Sequence, residues 1–188
     1  MPNLQRTLLW NALPSAGTEY FNLWQEDDGW RLEGDVLLAL NGYPAKVHYD
    51  VRCNAQWETR AVDIAMQSGA ATRTLTLTVD ERKRWYIGED ELRRVRGCTD
   101  VDLSITPSTN LLPIRRLNLA IGESMEVTAA WVRFPELTVE PLVQKYIHFD
   151  PTHYWYQSEL GDNIWNLEVD DLGLVRRYPD LWESSVVI

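Results

Sequence analysis

The sequence lacks most of the features that announce a function. It has 2 cysteines in 188 residues, so neither a disulfide framework nor a Cys-rich metal site organises it. Its longest apolar runs, such as Val36 to Leu40, are far too short to span a bilayer. Residues 1–17 have no charged segment followed by a long apolar one, the layout of a secretory signal. These absences lead us to expect a cytoplasmic protein with no integral membrane segment, in which Cys53 and Cys98 are reduced. No P-loop or dinucleotide-binding fingerprint occurs, and no cofactor is expected. Basic residues are outnumbered, 18 Lys and Arg against 28 Asp and Glu, for a net charge of −10. Such a surface repels phosphate backbones and anionic bilayers, so nucleic acid is not an expected partner. Low-complexity linkers, composition breaks and internal repeats are all missing. Residues 1–188 therefore read as one domain.

What is present is period-two alternation. In WRLEGDVLL, Trp30, Leu32, Val36 and Leu38 oppose Arg31, Glu33 and Asp35. In RTLTLTVD, Leu75, Leu77 and Val79 oppose Thr74, Thr76 and Thr78. In IWNLEV, Trp165, Leu167 and Val169 oppose Ile164, Asn166 and Glu168. Each is the pattern of a half-buried antiparallel strand. Turn signals such as Asn41-Gly42, Ser68-Gly69 and Gly161-Asp162-Asn163 separate these runs at short intervals. The expected fold is all-β, with one or two short helices. Helix is expected over Glu89 to Val95, with Asp90 as cap, and as one turn from Ser108 to Leu112, capped by Ser108 and ended before Pro113.

Two strands are apolar on both faces. In ESMEVTAAWVRF, Met125, Val127, Ala129 and Trp131 lie on one side and Ala130, Val132 and Phe134 on the other. In TVEPLVQKYIHF, Val139, Val143 and Ile147 oppose Leu142 and Tyr146. A core covers one face; a helix, a second sheet or a ligand must cover the other. The aromatics add 9 Trp and 8 Tyr against 3 Phe. Rings with polar tips suit sheet surfaces and half-wet cavities, and β packing explains them as well as a Trp-lined groove does.

Candidate chemistry is sparse. His148, Asp150 and His153 in HFDPTH span a strand end and an Asp-Pro turn, which favours a surface turn over a metal site. Gly122-Glu123-Ser124-Met125-Glu126 falls one glycine short of a nucleophile elbow and lacks its strand-turn-helix context. Cys98 has no nearby His to activate it. The densest constellation is GCTDVDLSITPSTNLLPIRRL, Gly97 to Leu117. Asp100, Asp102 and Ser104 share one strand face, about 7 Å apart along it. Such a pair suits the acid and base of glycoside hydrolysis. Equally, Arg115 or Arg116 on a return strand can staple it through bidentate pairing. Pairing with Arg is expected to lower the carboxyl pKa and spoil a general acid. Thr106 to Asn110 are loop residues that cap their own turn or meet a hydroxyl-rich ligand.

That stretch, with GWRLEGDV, HYDVRCNAQWETR, AAWVRFPELTVEPLVQKY and GLVRRYPDLW, resembles a bacterial glycolipid-binding family, formerly a domain of unknown function. The resemblance covers nearly the whole chain. One departure is Ser108, where the family pattern T-P-F-T-N would place Phe. The resemblance implies a single strongly curved antiparallel sheet, a half-barrel or open barrel with a groove, similar to bacterial lipoprotein carriers. It implies non-enzymatic binding of an amphipathic ligand, such as a glycolipid, with acyl chains in an apolar groove. By motif position, Asp100, Asp102, Thr109, Asn110 and Arg116 are the expected head-group residues, with Trp131 and Tyr146 as groove walls. The alternatives are a hydrolase using Asp100 and Asp102, or an interaction module whose Trp excess serves an interface.

Overall fold

The computed structural model describes residues 1–14 and 16–188. Its first half runs through β1 (Asn3–Ala12), β2 (Gly17–Glu26), β3 (Gly29–Leu40), β4 (Tyr43–Asn54), β5 (Thr59–Ser68), β6 (Ala71–Val79), β7 (Trp85–Ile87) and β8 (Asp90–Glu91). The second half holds β9 (Val101–Leu103), β10 (Ser124–Arg133), β11 (Thr138–Asp150), β12 (His153–Ser158), β13 (Trp165–Val169), β14 (Val175–Tyr178) and β15 (Trp182–Val187). All belong to one sheet, ordered β8-β7-β6-β5-β4-β3-β2-β1-β15-β14-β13-β12-β11-β10-β9. Each half is a meander of neighbours in sequence, and β1 joins the halves by pairing with β15. Every pairing is antiparallel except β9 with β10.

Alternation does what it predicts. Leu75, Leu77 and Val79 are buried while the intervening threonines are exposed. Leu32 and Val36 on β3 point inward, as do Leu167 and Val169 on β13. The sheet is strongly curved and unclosed, an open half-barrel, and its two ends overlap. Val101, Leu103, Ala130 and Val132, on the outward faces of β9 and β10, join one apolar cluster with Val62, Ile64, Leu75 and Leu77 of β5 and β6. The Thr59 amide donates to the Thr99 carbonyl at 3.1 Å, and Arg73 Nη1 donates to the Pro135 carbonyl at 2.9 Å.

Between β9 and β10 the chain leaves the sheet and passes down its concave side. A 3-10 turn over Ser108–Asn110 leads into helix α1 (Leu111–Leu117). This replaces the return strand expected after the turn. Ser108 makes no cap hydrogen bond, and the helix runs on through Pro113, whose missing N–H is tolerated in a first turn. Leu111, Leu112 and Ile114 are buried against the two halves of the core. Gly173 lets the helix seat: a Cβ there would lie 3.0 Å from Ile114 Cγ2. Asn118, left-handed at φ 45°, ends the helix. The helix expected over Glu89 to Val95 is instead β8 followed by a 3-10 turn at Arg93–Val95. No helix among the described residues is long and apolar enough to cross a membrane.

From Ala129 to Val132 both faces of β10 are largely covered, and protein covers them, whereas Met125 at its start is exposed. The overlapping sheet end takes one face; the 104–117 segment and its neighbours take much of the other. One inward contact fixes that segment from below. Tyr49 on β4 lies opposite Gly34 on β3, and a methyl at Gly34 would overlap the Tyr49 ring. The bare glycine lets the ring lie across β3 and reach Glu19 on β2. Gly34→Ala is therefore expected to destabilise the fold by roughly 1–3 kcal/mol through overpacking. A urea titration checks this, and a midpoint equal to wild type contradicts it.

Candidate functional site: a rim pocket beside the signature segment

The 104–117 segment does not fill the concave side completely. A pocket of about 180 Å³ remains at the rim, where β9, β10 and β11 face β12 to β15. Its walls are aromatic: Trp131, Tyr156, Trp165, Tyr178 and Trp182. Trp165 and Tyr178 meet edge to face at 5.4 Å, and Tyr156 packs on Tyr178 at 6.1 Å. Arg133 lies over the Trp131 ring at 5.1 Å. Asp102, Ser104, Thr106, Asn110 and Ser158 supply the polar atoms. Flat rings beside a carboxylate, an amide and hydroxyls are what a small polyhydroxylated group needs, with C–H faces to stack and O–H groups to pair.

The polar side is held in place by a buried relay. Gln144 is buried and donates through Nε2 to Asp102. Its Oε1 is 3.5 Å from the Tyr146 hydroxyl. Asn110 Nδ2 donates to that same hydroxyl at 2.9 Å, leaving the Asn110 carbonyl oxygen for the pocket. Burial pushes the Asp102 carboxyl up to about 6, against the pull of the Gln144 hydrogen bond.

The profile of a family described as "Putative glycolipid-binding" matches residues 7–184. The chain belongs to this family. A crystal structure of a DUF1089 family protein from Pseudomonas aeruginosa is similar, at 34% identity and TM-score 0.82, over 90% of this chain and 92% of that one. Among curated proteins the chain has no match.

Within this fold, the seven candidate residues separate. Asp102, Asn110 and Trp131 come together at the pocket. Tyr146 stands behind it as part of the relay rather than as a wall. Thr109 is buried, its Oγ1 accepting the Leu103 amide at 3.2 Å, which is self-capping of the turn. Asp100 and Arg116 form a bidentate pair at 2.9 and 2.5 Å outside the pocket lining. Burial pushes the Asp100 carboxyl above its ordinary range, more strongly than Arg116 pulls it down; the lowering expected from the pairing alone does not occur. Arg115 takes another direction, 5.4 Å over the Trp57 ring. The pocket thus presents one carboxylate, not the pair that glycoside hydrolysis uses.

Other candidates are equally placed. His153 Nδ1 lies 2.9 Å from Asp150 Oδ1, while His148 Nδ1 lies 2.6 Å from the Leu119 carbonyl and its ring stacks on Tyr154. No group of three His, Cys, Asp or Glu among the described residues could hold a metal. Cys53 and Cys98 are buried and unbridged. Burial pushes both thiols up, Cys98 to about 11, so neither is a ready nucleophile.

Sequence reasoning missed Glu19, Tyr156, Trp165, Tyr178 and Trp182. The signal for Glu19 was its phase, since it alternates inward with Phe21 and Leu23. It is fully buried, and its Oε1 meets the Tyr49 hydroxyl and, at 2.8 Å, Thr106 Oγ1. Tyr49 also reaches Ser108 Oγ at 2.7 Å. Thr106 lines the pocket, so this cluster ties the pocket floor to the sheet. Burial pushes the Glu19 carboxyl up to about 8, although its hydrogen bonds from Tyr49 and Thr106 lower it. A raised carboxyl stabilises the fold fully below its unfolded value near 4.5 and loses that contribution as pH rises through about 8. The thermal midpoint should therefore fall between about pH 4.5 and pH 8 and level off above, and Glu19→Gln should flatten that fall. A variant that keeps the wild-type slope in differential scanning fluorimetry contradicts the assignment.

Proposed function

We propose that this protein binds, without catalysis, the polar head group of an amphipathic ligand, a glycolipid or another acylated molecule, in the rim pocket. The observation that carries this reading is the meeting of Asp102 and Asn110, from the family's signature segment, with the rings of Trp131, Tyr156 and Trp165 in one small cavity. The family description supports it independently. The volume of 180 Å³ equals roughly six waters of liquid. That suits one sugar ring or a head group of similar size. Asp102 accepts from ligand hydroxyls as a charge-assisted acceptor at neutral pH, being ionised above about 6. Asn110 fixes orientation, and Trp131 supplies a stacking face.

Isothermal titration of the full chain with octyl glycosides below their micellar concentrations tests the reading. Binding should weaken about tenfold, ~1.4 kcal/mol, in Asp102→Asn and again in Trp131→Ala. Asp102→Asn keeps a partner for Gln144, so the fold should survive. Binding should also weaken as pH falls below about 6, where Asp102 takes up a proton. A chain that ignores a panel of glucosides, galactosides and mannosides, and emerges empty in native mass spectrometry, rules the reading out.

A further inference from the structure

The pocket opens at one end of the half-barrel, and that end differs in charge from the other. The connections β1–β2, β3–β4, β5–β6, β10–β11, β12–β13 and β14–β15 all lie there, as the antiparallel order requires. Residues 13–16, 41–42 and 69–70 carry no charge at all. Residues 134–137 carry Glu136, 159–164 carry Glu159 and Asp162, and 179–181 carry Asp180. At the far end, Asp27-Asp28, Asp170-Asp171 and the run from Asp80 to Arg84 crowd the turns with charge. Three of the six connections at this end are uncharged in sequence, in a chain that is 24% charged.

The mouth itself is apolar. Leu160 lines the pocket and is 62% exposed; Ile164, on the same β12–β13 hairpin, is 60% exposed. Tyr43, at the β3–β4 tip, is 71% exposed. The pocket is too small for an acyl chain of about ten carbons, since six waters' worth of volume is filled by the head group alone. The concave side beyond it is occupied by Leu111, Leu112 and Ile114. The tail of a bound ligand must leave through the mouth, past Leu160 and Ile164.

We infer that the protein reads its head group while the tail stays in a lipid layer, the pocket's rim resting on an electrically neutral lipid surface with the β12–β13 hairpin against it. This rests on the head-group reading above. The hairpin loops at the rim carry only acidic charges, Glu136, Glu159, Asp162 and Asp180, against Arg73 and Arg133 on the adjoining strands, and the whole chain carries −10, so an anionic surface would repel it. An uncharged surface gains contact with exposed apolar side chains instead.

Flotation of the full chain with vesicles tests this. Phosphatidylcholine vesicles holding monoglucosyl or monogalactosyl diacylglycerol should carry the protein, and plain phosphatidylcholine vesicles should not. Adding phosphatidylglycerol should reduce the bound fraction. Ile164→Glu and Tyr43→Glu should each cut flotation at least fivefold, and Tyr43→Glu should bind octyl glycosides with wild-type affinity, because its side chain neither lines the pocket nor borders the tail's exit. If the protein binds octyl glycosides but leaves the vesicles alone, or extracts the glycolipid into the aqueous phase, the surface inference is overturned and the head-group reading stands. Equal flotation on plain vesicles also overturns the inference. Failure to bind either glycosides or glycolipid vesicles removes both.

Discussion

The structure depends on how the segment between β9 and β10 docks on the concave side of the sheet. A sheet this curved presents a long apolar interior that must be covered. Leu111, Leu112 and Ile114 cover it, and each is buried. Loss of one leucine side chain there would cost about 2–5 kcal/mol, a large share of a small domain's stability. The same docking makes β9 parallel to β10, because the chain returns to the starting end before it pairs again. It also leaves Asp102 and Asn110 lining one small gap. Fold and site are thus consequences of one packing event.

Polar anchors refine that packing. Glu19, Tyr49, Thr106 and Ser108 form a buried cluster between sheet and segment. Glu19 Oε2 has no hydrogen-bond partner, which favours the neutral acid in that position. Ser108 is small enough to admit the Tyr49 hydroxyl, so the substitution for the Phe expected by the family pattern coincides with a hydrogen bond. Asp100 and Arg116 pin the other side of the segment. Replacing such a pair with apolar groups can be neutral, whereas removing one partner leaves a buried charge. We read it as a device that fixes where the helix end lies, in accord with its position outside the pocket.

The strands were legible because one face of each is wet. Leu75, Leu77 and Val79 against their threonines give register and orientation without further information. The family-level half-barrel was legible through the signature blocks. Leu111 to Leu117 was not, because a short run buried on several sides has no period to read, and a helix and a strand then look alike. Asp100 was legible in part: pairing with an arginine was expected as a staple, but a period-two reading kept Asp100 on the Asp102 face, whereas it sits just before β9 and turns to Arg116 on a helix. The pocket's second wall, from Tyr156 to Trp182, was out of reach for another reason. It depends on the curl of β9 to β15, which brings Trp182 across to Asp102, residues 80 apart in sequence. Asp102, Asn110 and Trp131 were named because the signature segment carries two of them and the AAWVRF block the third; the structure puts all three on the lining of one pocket.

The central claim is that ligand and protein segment share the concave side, with the segment staying in place. A crystal structure of the chain grown with a long-chain alkyl glycoside tests it most directly. The sugar ring should lie against Trp131 within hydrogen-bonding distance of Asp102, with α1 unmoved and the alkyl chain leaving past Leu160. An alkyl chain lying where Leu111, Leu112 and Ile114 now pack, with residues 108–117 expelled, would contradict it.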